Sequence, residues 1–194
     1  MKKRIANLIS NTLNPFLVSL VVIMLLSFAS TSSTLDAFKW SLLLIAVSIL
    51  PVFLVTIYLA QSGRIDGVFT SVRRQRTKVY LVASVCALLG FIILSLFKAP
   101  LTLVAAFAAG LSAIVIFMVI NMRWKISVHS AFIAASITTL VIIYGRIAGA
   151  SAVLIPLIGW SRIELKHHSL AQVVTGALLA ILIVIIVFYL FGLV

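Results

Sequence analysis

The sequence predicts an all-α protein, a polytopic transmembrane helical bundle of about six or seven spans. Three observations carry that expectation. The 194 residues are 64% hydrophobic and only 9% charged, whereas soluble domains run at roughly 45–50% apolar and about 25% charged. Apolar windows near the ~20 residues needed to cross a bilayer recur along the whole length. Basic residues collect in every second gap between those windows. No stretch is left for a separate soluble domain, so residues 1–194 read as a single integral membrane domain.

In chain order, spans are expected at 13–30, 40–60, 79–97, 100–120, 129–145, 147–160 and 170–193. The opening MKKR before an apolar run has the look of a signal peptide. The following SFASTSSTLDAF reads as a short loop, which favours a first helix that is retained. Pro51 and Pro156 fall inside spans and predict kinks, while Pro100 falls at a span start, where a missing N–H costs little. The sixth stretch, 147–160, is short: at ~1.5 Å per residue it reaches ~21 Å, less than the ~30 Å hydrocarbon core. Either SRIEL continues that helix, or the polar segment after it lies at the headgroup level. The single Cys86 sits in an apolar run, which excludes an internal disulfide and suits a packed small hydrophobe.

Charge narrows the function classes. Fifteen basic residues stand against three acids, Asp36, Asp66 and Glu164, for a net charge of +12. The cations occupy short loops and form no extended surface, which argues against nucleic acid as a partner. Anionic membrane lipid or a phosphorylated substrate fits better. Magnesium sites built from several aspartates are excluded by the shortage of carboxylates. With helices alternating in direction, Lys2, Lys3, Arg4, Arg64, Arg73, Arg74, Arg76, Lys78, Arg123, Lys125, Arg162 and Lys166 fall on one face, against Lys39, Lys98 and Arg146 on the other. The positive-inside rule makes the richer face cytoplasmic, and the expected location is the cell (plasma) membrane. Cations recruited to a site would give the same bias.

Three segments on that face hold most of the unusual polar residues: RIDGVFTSVRRQRTK (64–78), WKISVHS (124–130) and SRIELKHHSLAQVVTG (161–176). All three histidines of the chain, His129, His167 and His168, lie in them. Guanidinium and ammonium groups clamp phosphate oxygens and stabilise charge on a transferring phosphoryl group. One histidine can attack phosphorus while a second protonates the leaving oxygen, so neither a metal nor another cofactor is needed. Zinc fits less well, since no carboxylate joins the histidines at ligand-like spacing. His168, Gln172 and Gly176 are spaced i, i+4, i+8 on one face of a helix start. Gln172 can therefore orient the His168 ring, and Gly176 can admit a close neighbour.

These residues resemble the type-2 phosphatidic acid phosphatase superfamily, the membrane lipid phosphatases related to vanadium haloperoxidases. Its third motif is Ser-Arg, five residues, His, three residues, Asp. Here Ser161-Arg162 is followed by IELKH, His168, SLA and Gln172, and the register selects His168 over His167. The second motif, Pro-Ser-Gly-His, is represented by Ile126-Ser127-Val128-His129. For the first motif, Lys, six residues, Arg-Pro, Arg76-Thr77 can stand for Arg-Pro, which puts Phe69 at the Lys position. Arg73 or Lys125 is then the substitute cation. The resemblance covers roughly residues 64–190, a phosphatase-like core. Gln172 stands where the family has Asp, and Val128 where it has Gly.

The resemblance implies a metal-independent phosphatase acting on a phosphorylated lipid of phosphatidate, phosphatidylglycerophosphate or polyprenyl phosphate type. His168 would be the nucleophile, His129 the general acid, and Gln172 the ring-orienting residue. Arg162, Lys125, Ser127, Arg76, Arg73 and Ser161 would hold phosphate. A catalytically weak lipid-phosphate binder or carrier on the same scaffold is the alternative, motivated by Gln172 and Val128. A transporter is disfavoured, because only Arg146 approaches a mid-span position and it is expected to end a helix. Membrane lipids are the expected surroundings, and a homo-oligomer is compatible with all of these readings.

Overall fold

Prolines, glycines and polar clusters interrupt the apolar runs, and the helices stop at these breaks. The computed structural model describes residues 1–68, 70 and 72–194. Among them there is helix and no strand, as a chain in lipid must arrange to satisfy its backbone internally. The helices are α1 (Lys2–Thr12), α2 (Pro15–Ser30), α3 (Thr34–Leu44), α4 (Leu50–Gln61), α5 (Arg73–Leu96) and α6 (Leu101–Asn121). They continue with α7 (Val128–Tyr144), α8 (Arg146–Gly149), α9 (Leu154–Glu164) and α10 (Leu170–Leu190). Five runs are long and apolar enough to cross a membrane: Thr34–Gln61, Arg73–Leu96, Leu101–Asn121, Arg146–Glu164 and Leu170–Leu190. The pair α1 and α2, bent by 43°, makes a sixth, and α7 is apolar but shorter. The protein is an integral membrane helical protein.

Local chemistry explains the boundaries. Asn14 caps α2 by accepting from the Leu17 amide at 3.0 Å, and Pro15 fills the first helical position, where its missing N–H is no loss. A π-helical turn, Ile45–Ile49, joins α3 to α4 just before Pro51, loosening the ladder where the ring would meet a carbonyl. A 3₁₀ turn, Ala150–Val153, likewise precedes Pro156. Both expected kinks thus take the form of a changed helical pitch. Pro100 is the N-cap of α6, at a helix start as expected.

Three outcomes refine the expectations. SRIEL continues the helix, since α9 runs to Glu164. Arg146 begins the short α8 rather than ending a helix, after Gly145 at φ +64°. The residues before the first expected span at 13–30 form a helix of their own, the amphipathic α1 (Lys2–Thr12), with Ala6 and Ser10 buried one turn apart.

Contacts divide the chain into two compact units: Met1–Val22 with Ile126–Val194, and Ile23–Lys125. In the first, α10 packs chiefly on α7, α9 touches both, and α1 lies on α9. The buried face of α10 is Val173, Gly176, Ala177, Ala180, Ile183, Val184 and Phe188, a helical stripe rich in small residues. Its other side exposes Leu178, Leu182, Ile185 and Ile186, as a lipid-facing surface requires. Ile133, Ile137 and Ile158 form a core on which Ile9 of α1 and its C-cap Leu13 rest. In the second unit, α5 pairs with α6, and a Cβ on Gly90 would collide with the Phe107 ring, so only glycine allows that approach.

Candidate active site

The site is built where α9 ends and α10 begins. α9 closes with a Schellman turn: Lys166 N–H donates to the Ile163 carbonyl and His167 N–H to that of Arg162, at 2.9 and 3.1 Å. The left-handed position of this turn is taken by Lys166 at φ +56°, where glycine is usual. The His168 amide also donates to the Arg162 carbonyl, at 3.3 Å. Two residues after the turn the chain enters α10 with Ser169 as N-cap, and His168 lies in the short link between the helices.

Ser169 and Gln172 form a capping box at the start of α10. The Gln172 Oε1 accepts the Ser169 amide at 3.3 Å and lies 3.0 Å from Nδ1 of His168. Because a backbone N–H can only donate, it fixes which end of the amide faces the ring. Because Oε1 can only accept, Nδ1 of His168 must carry the proton. Nε2 of the neutral ring then keeps its lone pair. The imidazole is 7% exposed, held in one tautomer inside the protein.

The start of α7 meets the same turn of α10. Ser127 is the N-cap, its Oγ accepting from the Ser130 amide and lying 2.9 Å from Ser130 Oγ. Its own amide donates to the Gln172 carbonyl at 3.3 Å. A Cβ on Gly176 would stand 2.9 Å from the Ser127 carbonyl oxygen. The close approach expected of Gly176 is real, and its neighbour is the loop that leads into α7. His129, in the first turn of α7, is buried. Val128 opens the helix, so no glycine conformation is needed there.

Ser161 and Arg162, in the last turn of α9, face α1. The Ser161 hydroxyl, wholly buried, donates to the Ala6 carbonyl at 2.7 Å. The Arg162 guanidinium donates from Nη1 to Ser10 Oγ at 2.6 Å, and both side chains are 4% exposed. Ser127, Ser161, Arg162, His168, Gln172 and His129 therefore all belong to the first unit. His167, next to His168, is half-buried.

Residues 121–193 match the family model of the PAP2 superfamily. Over that stretch, under half of the chain, the sequence is similar to the PAP2 superfamily. This is the family its second and third motifs resemble, one of phosphatase type. The chain matches no curated protein and no solved structure.

The PAP2 stretch contains Lys125, Ser127, His129, Ser161, Arg162, His168 and Gln172, and excludes Arg73 and Arg76. Those two arginines belong to the second unit, as does the half-buried Lys125. Arg73 opens α5, and its Nη1 donates to the carbonyls of Asn121 and Met122 at the end of α6, while Asn121 Nδ2 donates back to the Arg73 carbonyl at 3.1 Å. The buried Arg76 donates from Nε to the Thr70 carbonyl at 3.0 Å. Phe69, the position aligned with the family's Lys, lies outside the described residues. Among the described residues, no three of His, Cys, Asp and Glu group as metal ligands.

Two features around the candidate site escaped the sequence reading. The capping box was available as Ser169-x-x-Gln172, the ordinary helix-start signature. Ser10 and Ala6 carried only an i, i+4 spacing in a segment dominated by its cations.

Proposed function

We propose that the protein is a membrane lipid phosphatase that cleaves a phosphomonoester or diphosphate of a lipid through a phosphohistidine at His168. The observation that carries this reading is the pairing of His168 Nδ1 with Gln172 Oε1 at 3.0 Å, which leaves Nε2 as a nucleophile. In the first step Nε2 attacks phosphorus and the bond to the lipid oxygen breaks. Arg162 neutralises the non-bridging oxygens, and His129 gives its proton to the leaving oxygen. In the second step water attacks the phosphohistidine, His129 takes the proton, and orthophosphate leaves. The substrate is of phosphatidate, phosphatidylglycerophosphate or polyprenyl phosphate type, its acyl or prenyl tails lying among the exposed apolar side chains of the helices. The proposed core runs over residues 64–190 in the plasma membrane, with the positive-inside bias placing its basic loops toward the cytoplasm.

Phosphate release from a panel of these lipids, measured on purified wild type, His168→Ala and His129→Ala, tests the reading. Wild-type turnover lost in both variants is expected; turnover unchanged in His168→Ala would sink it. A second reading, a lipid-phosphate binder or carrier, is favoured by the neutral amide of Gln172, which stabilises an imidazolium less than a carboxylate does. Turnover inhibited by vanadate excludes it.

A further inference from the structure

We infer that the N-terminal helix α1 is part of the phosphate site, and that Ser10 is a positioning residue for Arg162. The inference rests on the phosphatase reading and extends it to a segment well outside the family match at 121–193.

Two adjacent residues of α9 are tied to two residues one turn apart on α1. Ser161 Oγ donates to the Ala6 carbonyl at 2.7 Å, and Arg162 Nη1 donates to Ser10 Oγ at 2.6 Å. Ala6 and Ser10 share a helix face, so the paired ties fix both the rotation of α1 and its height along α9. Ile9 and Leu13, packed against the Ile133, Ile137 and Ile158 core, hold the helix from the same side. Four buried groups are thereby committed to one geometry: Ser161 is fully buried, Ala6 likewise, and Ser10 and Arg162 are each 4% exposed.

The chemistry of the partner is what gives this contact a function beyond packing. A guanidinium held this deep needs oxygen acceptors. An aspartate or glutamate at position 10 would satisfy it and also cancel its charge. A serine hydroxyl supplies the oxygen dipole and adds no negative charge of its own. Arginine carries five donors in a planar fork, and fixing Nη1 on Ser10 orients the fork as a whole. Ser10 therefore aims a charge it does not neutralise, the arrangement required of a cation that must receive an anionic phosphoryl group.

The test uses the full chain purified in detergent, with Ser10→Ala, Ser10→Thr and Ser10→Asp beside wild type. Three quantities are read: KM and kcat for phosphate release from dioctanoyl phosphatidate, and affinity for orthophosphate by calorimetric titration. Loss of a hydrogen bond to a charged group predicts that Ser10→Ala weakens both KM and orthophosphate affinity by about tenfold, with a smaller change in kcat. Ser10→Thr, which keeps the hydroxyl, should recover most of that loss. Ser10→Asp should bind phosphate more weakly than Ser10→Ala while unfolding at the same temperature as wild type or higher, because a buried ion pair replaces a neutral contact. A purely structural Ser10 would give the opposite order for the aspartate variant. The inference is overturned if Ser10→Ala and Ser10→Asp keep KM and orthophosphate affinity within twofold of wild type, or if Ser10→Thr loses as much as Ser10→Ala. If wild type binds orthophosphate but hydrolyses nothing, the phosphatase reading fails and the affinity series alone decides on Ser10. If wild type binds none, both fail together.

Discussion

Gln172 holds the Nδ1 proton of His168 across 3.0 Å with the same oxygen that accepts the Ser169 amide. One side chain thus closes the start of α10 and sets the tautomer of the proposed nucleophile. Gln172→Glu keeps the reach and adds a negative charge, which stabilises the imidazolium as it forms. A shift of one pKa unit in its favour corresponds to roughly a tenfold gain in kcat. Gln172→Leu removes the orienting oxygen and should lower kcat by roughly 10- to 100-fold. Steady-state phosphate release from the two variants, compared at equal folded fraction, checks both directions.

Gly176 has main-chain atoms where a side chain would stand. The atom its Cβ would meet, 2.9 Å away, is the main-chain oxygen of Ser127, which cannot swing aside as a side-chain tip can. Gly176→Ala should therefore cost about 1–3 kcal/mol and lower the unfolding temperature in detergent. Gly110, in the middle of α6, has nothing within 4 Å of its Cβ position. Gly110→Ala should be neutral or stabilising, by up to about 1 kcal/mol.

Lys166 and Lys98 occupy left-handed positions at φ +56° and +52° in the turns that close α9 and α5. A side chain there costs roughly 1 kcal/mol that glycine does not incur, partly offset by the entropy glycine loses on folding. Lys166→Gly and Lys98→Gly should each raise the unfolding midpoint slightly, read by the same thermal scan. An unchanged or lower midpoint in both would show that the lysines have found compensating contacts.

Arg73 and Asn121 bind each other's main chain at the junction of α5 and α6. Asn121 is 2% exposed, so Asn121→Ala strands a buried partner and should cost about 1–3 kcal/mol. Arg73→Ala should cost a similar amount, and the double variant about their sum, because each side chain binds a main-chain carbonyl that the other substitution leaves in place. The unfolding free energies of the three variants decide it.

The helical architecture was legible because lipid demands long apolar runs, and seven of them can be read directly from the sequence. The third motif was legible for a different reason: Ser161, Arg162, His168 and Gln172 lie within twelve residues, so their spacing alone fixes much of their relation. Contacts distant in sequence were not legible. The Arg162–Ser10 bond joins residues 152 apart, and nothing in the spacing of α1 points to α9. The bonds from Arg73 to the last carbonyls of α6 were not legible either, since they depend on how α5 and α6 pair. The π turn before Pro51 shows a limit of another kind: the proline was visible, but whether the chain would bend or change pitch was decided by packing.

The link between the two best-matched motifs is a bond from the Ser127 amide to the Gln172 carbonyl. Main-chain atoms are the same whatever side chains stand beside them. A scaffold joined in this way can carry Val at 128 and Gln at 172 while the meeting of α7 and α10 keeps its register. The junction does not read the side chains laid over it, and the position there that demands a particular residue is the bare α-carbon of Gly176.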